Sequence, residues 1–341
     1  MKPRNTRNTR KNETTPAIPG FVDLQINGYQ GVDFSRPDLT VEGVESVAGA
    51  VRAQGTAAFL PTVVTAAVDT YRRNLPILGQ AVRSESLQGC LLGLHIEGPW
   101  ISPETGFVGA HNQEYVIAPD PDLLREMWKW SDGTLRLLTL AAELPGASEL
   151  VACAAELSIA VSIGHSNFDD AGLQRIVDAG ATGLTHLGNG LAGVVDRHRN
   201  PIWSGLANDD VTAMIIPDGF HLPPALIKTI LRAKGVERTI VVSDVSALGG
   251  LDPGEYFING NPVVLERSGR IRTRDANFLA GSSLTMLPSM NHLASLDLLS
   301  VPELLAIGFY NPLRFIGVEP QEITNNTGLI VHEESKPFSL P

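Results

Sequence analysis

The chain has 341 residues, enough for one barrel-sized unit or two ordinary domains, with 43% hydrophobic and 18% charged residues as in a packed globular protein. A net charge of −11 excludes a broad nucleic-acid footprint, which needs clustered Lys and Arg, and no apolar run approaches the ~18 residues of a membrane span. Cys90 and Cys153 lie far apart and have no partner at zinc-finger spacing, so both read as small buried hydrophobes.

In chain order, residues 1–18 carry Lys2, Arg4, Arg7, Arg10 and Lys11 without an apolar run and read as a disordered polar and basic tail. No n-region and h-region open the chain, so a cytoplasmic protein is expected. From Gly20 onward, short apolar β-branched runs alternate with amphipathic segments. The runs are Phe21–Ile26, Ala57–Val64, Leu91–Ile96, Leu135–Leu140, Ala160–Ile163, Gly183–Thr185, Ala213–Ile216 and Thr239–Val242. Helical spacing occupies Thr40–Gln54, Val68–Arg83, Ala147–Leu157, Phe168–Ala179 and Pro223–Ala233. Eight such runs predict an α/β fold, a (β/α)8 TIM-type barrel over residues 19–320. The loop from Gly98 to about Pro121 is long and rich in Pro and Gly, which points to function. A β-hairpin insertion is expected near 255–275, where Phe257-Ile258 and Val263-Val264-Leu265 flank the turn signal Asn259-Gly260-Asn261-Pro262. Residues 321–341 read as a C-terminal tail or the remnant of a small β domain.

Metal-binding and titratable residues fall at the C-terminal ends of these predicted strands. Gln25 and Asn27 end the first, Glu97 the third, His165 the fifth, His186 the sixth, His221 follows the seventh and Asp244 ends the eighth. One such His can simply cap a carbonyl, and one Asp can form an Asx turn. Six strand ends together are not explained by turn chemistry, and in a (β/α)8 barrel they converge on one mouth. Glu97, His165 and His186 make a catalytic zinc set of three protein ligands that leaves a position for water. Asp244 can approach from across the mouth as general base. His95 is expected on the opposite side of its strand from Glu97, in a structural role. No role falls to His198, His292 or His332.

The segments around these residues are Pro19-Gly20-Phe21-Val22-Asp23-Leu24-Gln25-Ile26-Asn27-Gly28, Gly93-Leu94-His95-Ile96-Glu97-Gly98-Pro99 with Gly109-Ala110-His111, Gly164-His165-Ser166, Thr185-His186-Leu187, Asp218-Gly219-Phe220-His221, Ser243-Asp244-Val245, Leu279-Ala280-Gly281-Ser282-Ser283-Leu284-Thr285-Met286 and Asn311-Pro312-Leu313-Arg314. From about residue 19 to 317 the chain resembles N-acetylglucosamine-6-phosphate deacetylases of the metal-dependent amidohydrolase superfamily.

That resemblance implies hydrolysis of the acetamido group of N-acetylglucosamine 6-phosphate in amino-sugar catabolism. It implies Glu97, His165 and His186 as metal ligands, Asp244 as the acid/base, and His111 as the group that polarises the acetyl carbonyl. Asn189 and Gly190, with His221, are implied as substrate-binding residues. An Arg shared across the subunits of a homodimer is also implied: Arg197 matches by its spacing from His186, Arg199 by an Arg-x-Pro pattern, and both stand as candidates. Many amidohydrolases carry His-x-His on the first strand for a second metal. Gln25 and Asn27 stand there in this chain, and neutral amides are poor zinc ligands, so one divalent ion per chain is expected, Zn2+ first and Fe2+ with the same ligand set. The fourth strand lacks a Lys to bridge two metals.

Two segments depart from the family. Gly188-Asn189-Gly190-Leu191 stands where Phe-Asn-Ala-Met is usual, which leaves N-acetylgalactosamine 6-phosphate or an unphosphorylated N-acetylhexosamine open as substrates. A catalytically silent sugar-binding paralogue is the alternative of a different class. Only about nineteen largely polar residues precede the first strand, so the family's small β-sandwich is expected to be truncated or absent.

Overall fold

The computed structural model describes residues 18–258, 260–274, 279–332 and 337–341. Eight strands form one sheet in sequential order: β1 (Phe21–Ile26), β2 (Thr56–Val64), β3 (Leu94–Glu97), β4 (Leu135–Leu140), β5 (Ala160–Ile163), β6 (Gly183–Leu184), β7 (Thr212–Ile215) and β8 (Thr239–Val241). Each pairs in parallel with the next. The ends meet through a parallel bridge between Ile26 and Val245, so the sheet nearly closes into the expected barrel.

All nine residues of β2 are buried, as a strand covered on both faces must be. Its Pro61 has no N–H to donate, and the pairing with β1 slips between Asp23 and Ile26, opposite that residue. Helices α1 (Val41–Arg52), α2 (Val68–Val82), α3 (Pro121–Trp130), α4 (Ala147–Glu156), α5 (Asp170–Asp178), α6 (Pro201–Ala207), α7 (Pro224–Lys234) and α8 (Met286–Ser295) are interspersed with and follow the barrel strands. The Thr40 hydroxyl caps α1 by accepting from Gly43 N–H, a contact of about 1 kcal/mol. Neither α3 nor α6 was among the expected helices; each begins with Pro in its first turn, capped by Asp120 and Asn200 respectively.

Inside the barrel, hydroxyls link the strands into a polar layer. His95 Nδ1 meets Thr62 Oγ1 at 3.2 Å and His95 Nε2 meets Thr139 Oγ1 at 2.8 Å; Thr139, Thr185 and Ser162 continue the chain at 2.7 Å steps. The expectation for the direction of His95 is corrected here. Residues two apart in a strand share a face, so His95 points inward with Glu97 and forms part of the floor beneath it. Both ring nitrogens are engaged, and burial pushes the imidazole down to about 4, so it is neutral.

The hairpin expected near 255–275 is a three-stranded antiparallel sheet of β9 (Gly254–Ile258), β10 (Asn261–Leu265) and β11 (Ile271–Thr273). Asn259 of its turn lies outside the described residues. Of the expected tail at 1–18, only Ile18 is described, and it is buried in the core. Near the C-terminus β12 (Ile330–Val331) pairs with β13 (Phe338–Ser339), and Phe338 packs edge-to-face on Phe21 with ring centres 5.0 Å apart. Both cysteines are buried and unpaired. No helix among the described residues is long and apolar enough to cross a membrane.

Candidate active site

A cavity of about 750 Å³ opens at the C-terminal ends of the strands. Glu97, His165, His186 and Asp244 line it together with His111, Asn189, Gly190 and His221, so every expected site residue except Arg197 and Arg199 reaches one space. Arg199 lines a separate groove with Glu143 and Arg175.

Glu97 ends β3, and Gly98 follows at φ +83, where a Cβ would lie 2.1 Å from Thr65 Oγ1. His165, His186 and Asp244 each follow their strand at positive φ, +50, +33 and +51. L-residues pay a steric penalty in this left-handed region, and three such residues in one cavity mark a place where structure overrides local preference. Gly109 and Gly190 lie against the His165 ring; a Cβ would sit 2.9 and 3.0 Å from it.

Ligand atoms of Glu97, His165 and His186 all lie within 4.8 Å of one another. His186 Nε2 is 2.9 Å and His165 Nε2 3.4 Å from Glu97 Oε1. His165 Nδ1–H donates to the Phe107 carbonyl at 2.8 Å, so in the neutral ring Nε2 carries a lone pair aimed at a carboxylate oxygen. Two acceptors that face each other repel unless a cation or a proton lies between them, and an acid with two imidazoles is the donor set that a divalent metal prefers. The residues present therefore fit such an ion. Burial pushes the Glu97 carboxyl up, but its contacts with the His165 and His186 imidazoles outweigh this and hold the group well below the ordinary carboxylate range. For His186, the bond to Glu97 more than offsets burial and raises the imidazole.

Asp244 faces this group. Gln25 Nε2 donates to Asp244 Oδ1 at 2.9 Å and to Glu97 Oε2 at 3.0 Å, and Asn27 Nδ2 donates to Asp244 Oδ1 at 2.7 Å. Burial, then the charge of Glu97, raises the Asp244 carboxyl. His111 accepts Thr65 N–H on Nδ1 at 3.4 Å, so its neutral ring carries the proton on Nε2, 3.2 Å from His165 Nε2. Burial and the neighbouring His165 push His111 down to about 3, which keeps it neutral. His221 Nδ1–H donates to Asp218 Oδ2 at 2.7 Å, and Asp218 Oδ1 accepts the N–H groups of Phe220 and His221.

Sequence reasoning missed Asp23, Asp218, Arg36 and Arg270. Asp23 alternates with Gln25 and Asn27 on the first strand, and Asp218 stands three residues before His221, so both had a local signal. Arg36 and Arg270 enter the cavity wall from loops and had none.

A nearly closed barrel of parallel strands whose ends bring one acid and two imidazoles against an aspartate defines an enzyme of the amidohydrolase class. No family model matches the chain. It is 32% identical over 91% of its length to N-acetylglucosamine-6-phosphate deacetylase of Bos taurus, covering 76% of that protein. It is 28% identical to N-acetylgalactosamine-6-phosphate deacetylase of Escherichia coli O157:H7, with 88% and 78% of the two chains aligned. The crystal structure of N-acetyl-D-glucosamine-6-phosphate deacetylase from Mycobacterium smegmatis superimposes with a TM-score of 0.84 over 94% of this chain and 84% of that one, at 26% identity. The chain belongs to the N-acetylglucosamine-6-phosphate deacetylase family.

Proposed function

We propose that this enzyme hydrolyses the acetamido group of N-acetylglucosamine 6-phosphate to glucosamine 6-phosphate and acetate. The observation that carries the reading is the meeting of Glu97, His165 and His186 ligand atoms within 4.8 Å in the cavity that Asp244 also lines. Glu97, His165 and His186 would hold one divalent ion, Zn2+ in the first instance or Fe2+. Bound there, such an ion supplies Lewis-acid polarisation of an acyl oxygen and lowers the pKa of water.

Asp244 takes a proton from the attacking water and returns it to the departing nitrogen, so one C–O bond forms as the C–N bond breaks. Its raised pKa suits both halves of that exchange. His111, neutral and protonated on Nε2, donates to the acyl oxygen as charge develops. Asn189 and Gly190, which line the same cavity, would contact the sugar. His221, oriented by Asp218, offers its second ring nitrogen to the phosphate.

Arg197 and Arg199 stand on a surface segment with Val194, 91% exposed, and Trp203, 53% exposed. That placement supports one of the two arginines completing the phosphate site of a neighbouring subunit in a homodimer. A phosphorylated sugar does not cross a bilayer unaided, which supports a cytoplasmic setting.

The test is acetate release from the zinc-loaded and iron-loaded protein on four sugars: N-acetylglucosamine and N-acetylgalactosamine, each with and without the 6-phosphate. Preference for N-acetylglucosamine 6-phosphate is expected. A preference for the galactosamine epimer moves the substrate to that of the Escherichia coli relative, and no acetate from any sugar removes the hydrolase reading. With the preferred sugar, Arg197→Ala and Arg199→Ala assign the phosphate contact. Loss of one bidentate Arg–phosphate pair raises KM roughly ten- to hundredfold and leaves an unphosphorylated sugar unaffected.

A further inference from the structure

Asp23 lies below Gln25 and Asn27 on β1, wholly buried, and the chemistry above makes no use of it. Its carboxylate collects three donors. Oδ1 accepts Ser243 N–H at 3.1 Å and Gln25 N–H at 3.2 Å, while Oδ2 accepts the Ser243 hydroxyl. The Ser243 oxygen in turn accepts Val245 N–H at 3.2 Å.

These contacts stand where strand pairing is missing. β8 ends at Val241, and the seam between the first and last strands is closed by the isolated Ile26–Val245 bridge with the Asn27 N–H to Val245 carbonyl bond of 2.8 Å. Asp244 sits between the two anchored residues. Asp23 pins Ser243 before it and Asn27 pins Val245 after it, so the intervening residue takes up the left-handed turn at φ +51. That turn directs the Asp244 carboxylate to the Gln25 and Asn27 amides.

We propose that Asp23 is a positioning residue for proton transfer: by binding both the N–H and the O–H of Ser243 it imposes the backbone turn that aims Asp244 across the cavity. The proposal rests on the reading of Asp244 as the acid/base. A purely structural buried carboxylate would affect folding yield and stability without changing kcat of the folded enzyme. A positioning group changes kcat and leaves KM and metal content alone, because Asp244 belongs to neither the ligand set nor the sugar contacts.

Three variants of the metal-loaded enzyme decide the matter. Asp23→Ala is expected to lower kcat about a hundredfold, the size of effect a displacement near 1 Å produces, with KM within about threefold and one metal per chain retained. Asp23→Asn keeps an acceptor for Ser243 N–H and an amide that can meet the Ser243 oxygen, and is expected to restore kcat to within about threefold of wild type. Ser243→Ala removes one arm of the clamp and should fall between them. Crystal structures provide a readout independent of turnover: Asp244 Oδ1 should move beyond hydrogen-bond reach of Gln25 in Asp23→Ala and stay in Asp23→Asn.

Wild-type kcat in folded Asp23→Ala, or an unmoved Asp244, overturns the proposal. If Asp23→Ala does not fold, Ser243→Ala carries the decision, and unchanged kcat with an unmoved Asp244 there overturns it. If the wild-type enzyme releases acetate from none of the sugars, the hydrolase reading fails, and the crystallographic comparison still decides what Asp23 does.

Discussion

Glu97 and Asp244 share one hydrogen-bond donor: the Gln25 amide nitrogen lies 3.0 Å from Glu97 Oε2 and 2.9 Å from Asp244 Oδ1. Two buried carboxylates this close repel, and the charge of Glu97 is a cause of the raised Asp244 pKa. A neutral amide between them satisfies an oxygen of each without adding a metal ligand, and leaves Glu97 Oε1 facing His165 and His186. Gln25→Leu, which keeps bulk and removes the donor, should therefore weaken zinc binding roughly tenfold or more, as the loss of a group that orients a ligand does. Competition with a metal indicator measures this, and unchanged affinity would separate Gln25 from the metal site.

Asp244→Asn keeps the shape and the contact with Asn27 but cannot accept the proton. It should bind zinc with wild-type stoichiometry while kcat falls by roughly 10²–10⁴. Steady-state kinetics beside metal analysis of the same sample tests both halves, and near-normal turnover removes Asp244 from its role.

Metal should also hold the fold, because ligands from three strands converge on it. An ion that binds only the folded chain adds about 4 kcal/mol at a thousand times its Kd. Zinc should raise the melting temperature of wild type and leave that of Glu97→Ala nearly unmoved, a difference calorimetry resolves with and without chelator.

Burial raises Asp23 to about 7, against an ordinary value of 3.8. The folded state then binds the more tightly held proton, so the stability this gives is fully present below about pH 4 and is lost as pH rises toward 7. The three-unit shift corresponds to about 4 kcal/mol at most. Denaturant unfolding of chelated wild type and Asp23→Asn should show the variant gaining relative stability between pH 4.5 and 7.5. Parallel curves would mean that Asp23 does not ionise in this range.

Much of the barrel was legible from periodicity. β1, β4 and β5 match their expected bounds residue for residue. The strand expected from Leu91 begins instead at Leu94; Leu91 makes an isolated bridge to Phe59, a fact of register that hydrophobicity does not encode. Hydrophobic periodicity likewise missed α6, whose seven residues make barely two turns, α3, which starts where the loop from Gly98 to about Pro121 ends, and β11, whose three residues pair only because β10 lies beside them.

Chemistry at strand ends could be read in one dimension because a parallel barrel sends every C-terminal end to the same mouth, so Glu97, His165, His186 and Asp244 needed only their strands to be recognised. The left-handed turns at His165, His186 and Asp244, the Asp23 clamp across the seam, the tautomer of His111 and the entry of Arg36 and Arg270 into the cavity wall are different in kind. Each depends on which distant backbone packs alongside, as Phe107 does for His165, Thr65 for His111 and Ser243 for Asp23. Side-chain periodicity is a local property of the chain, whereas a hydrogen bond such as that between Ser243 and Asp23, 220 positions apart, exists only after the barrel has closed.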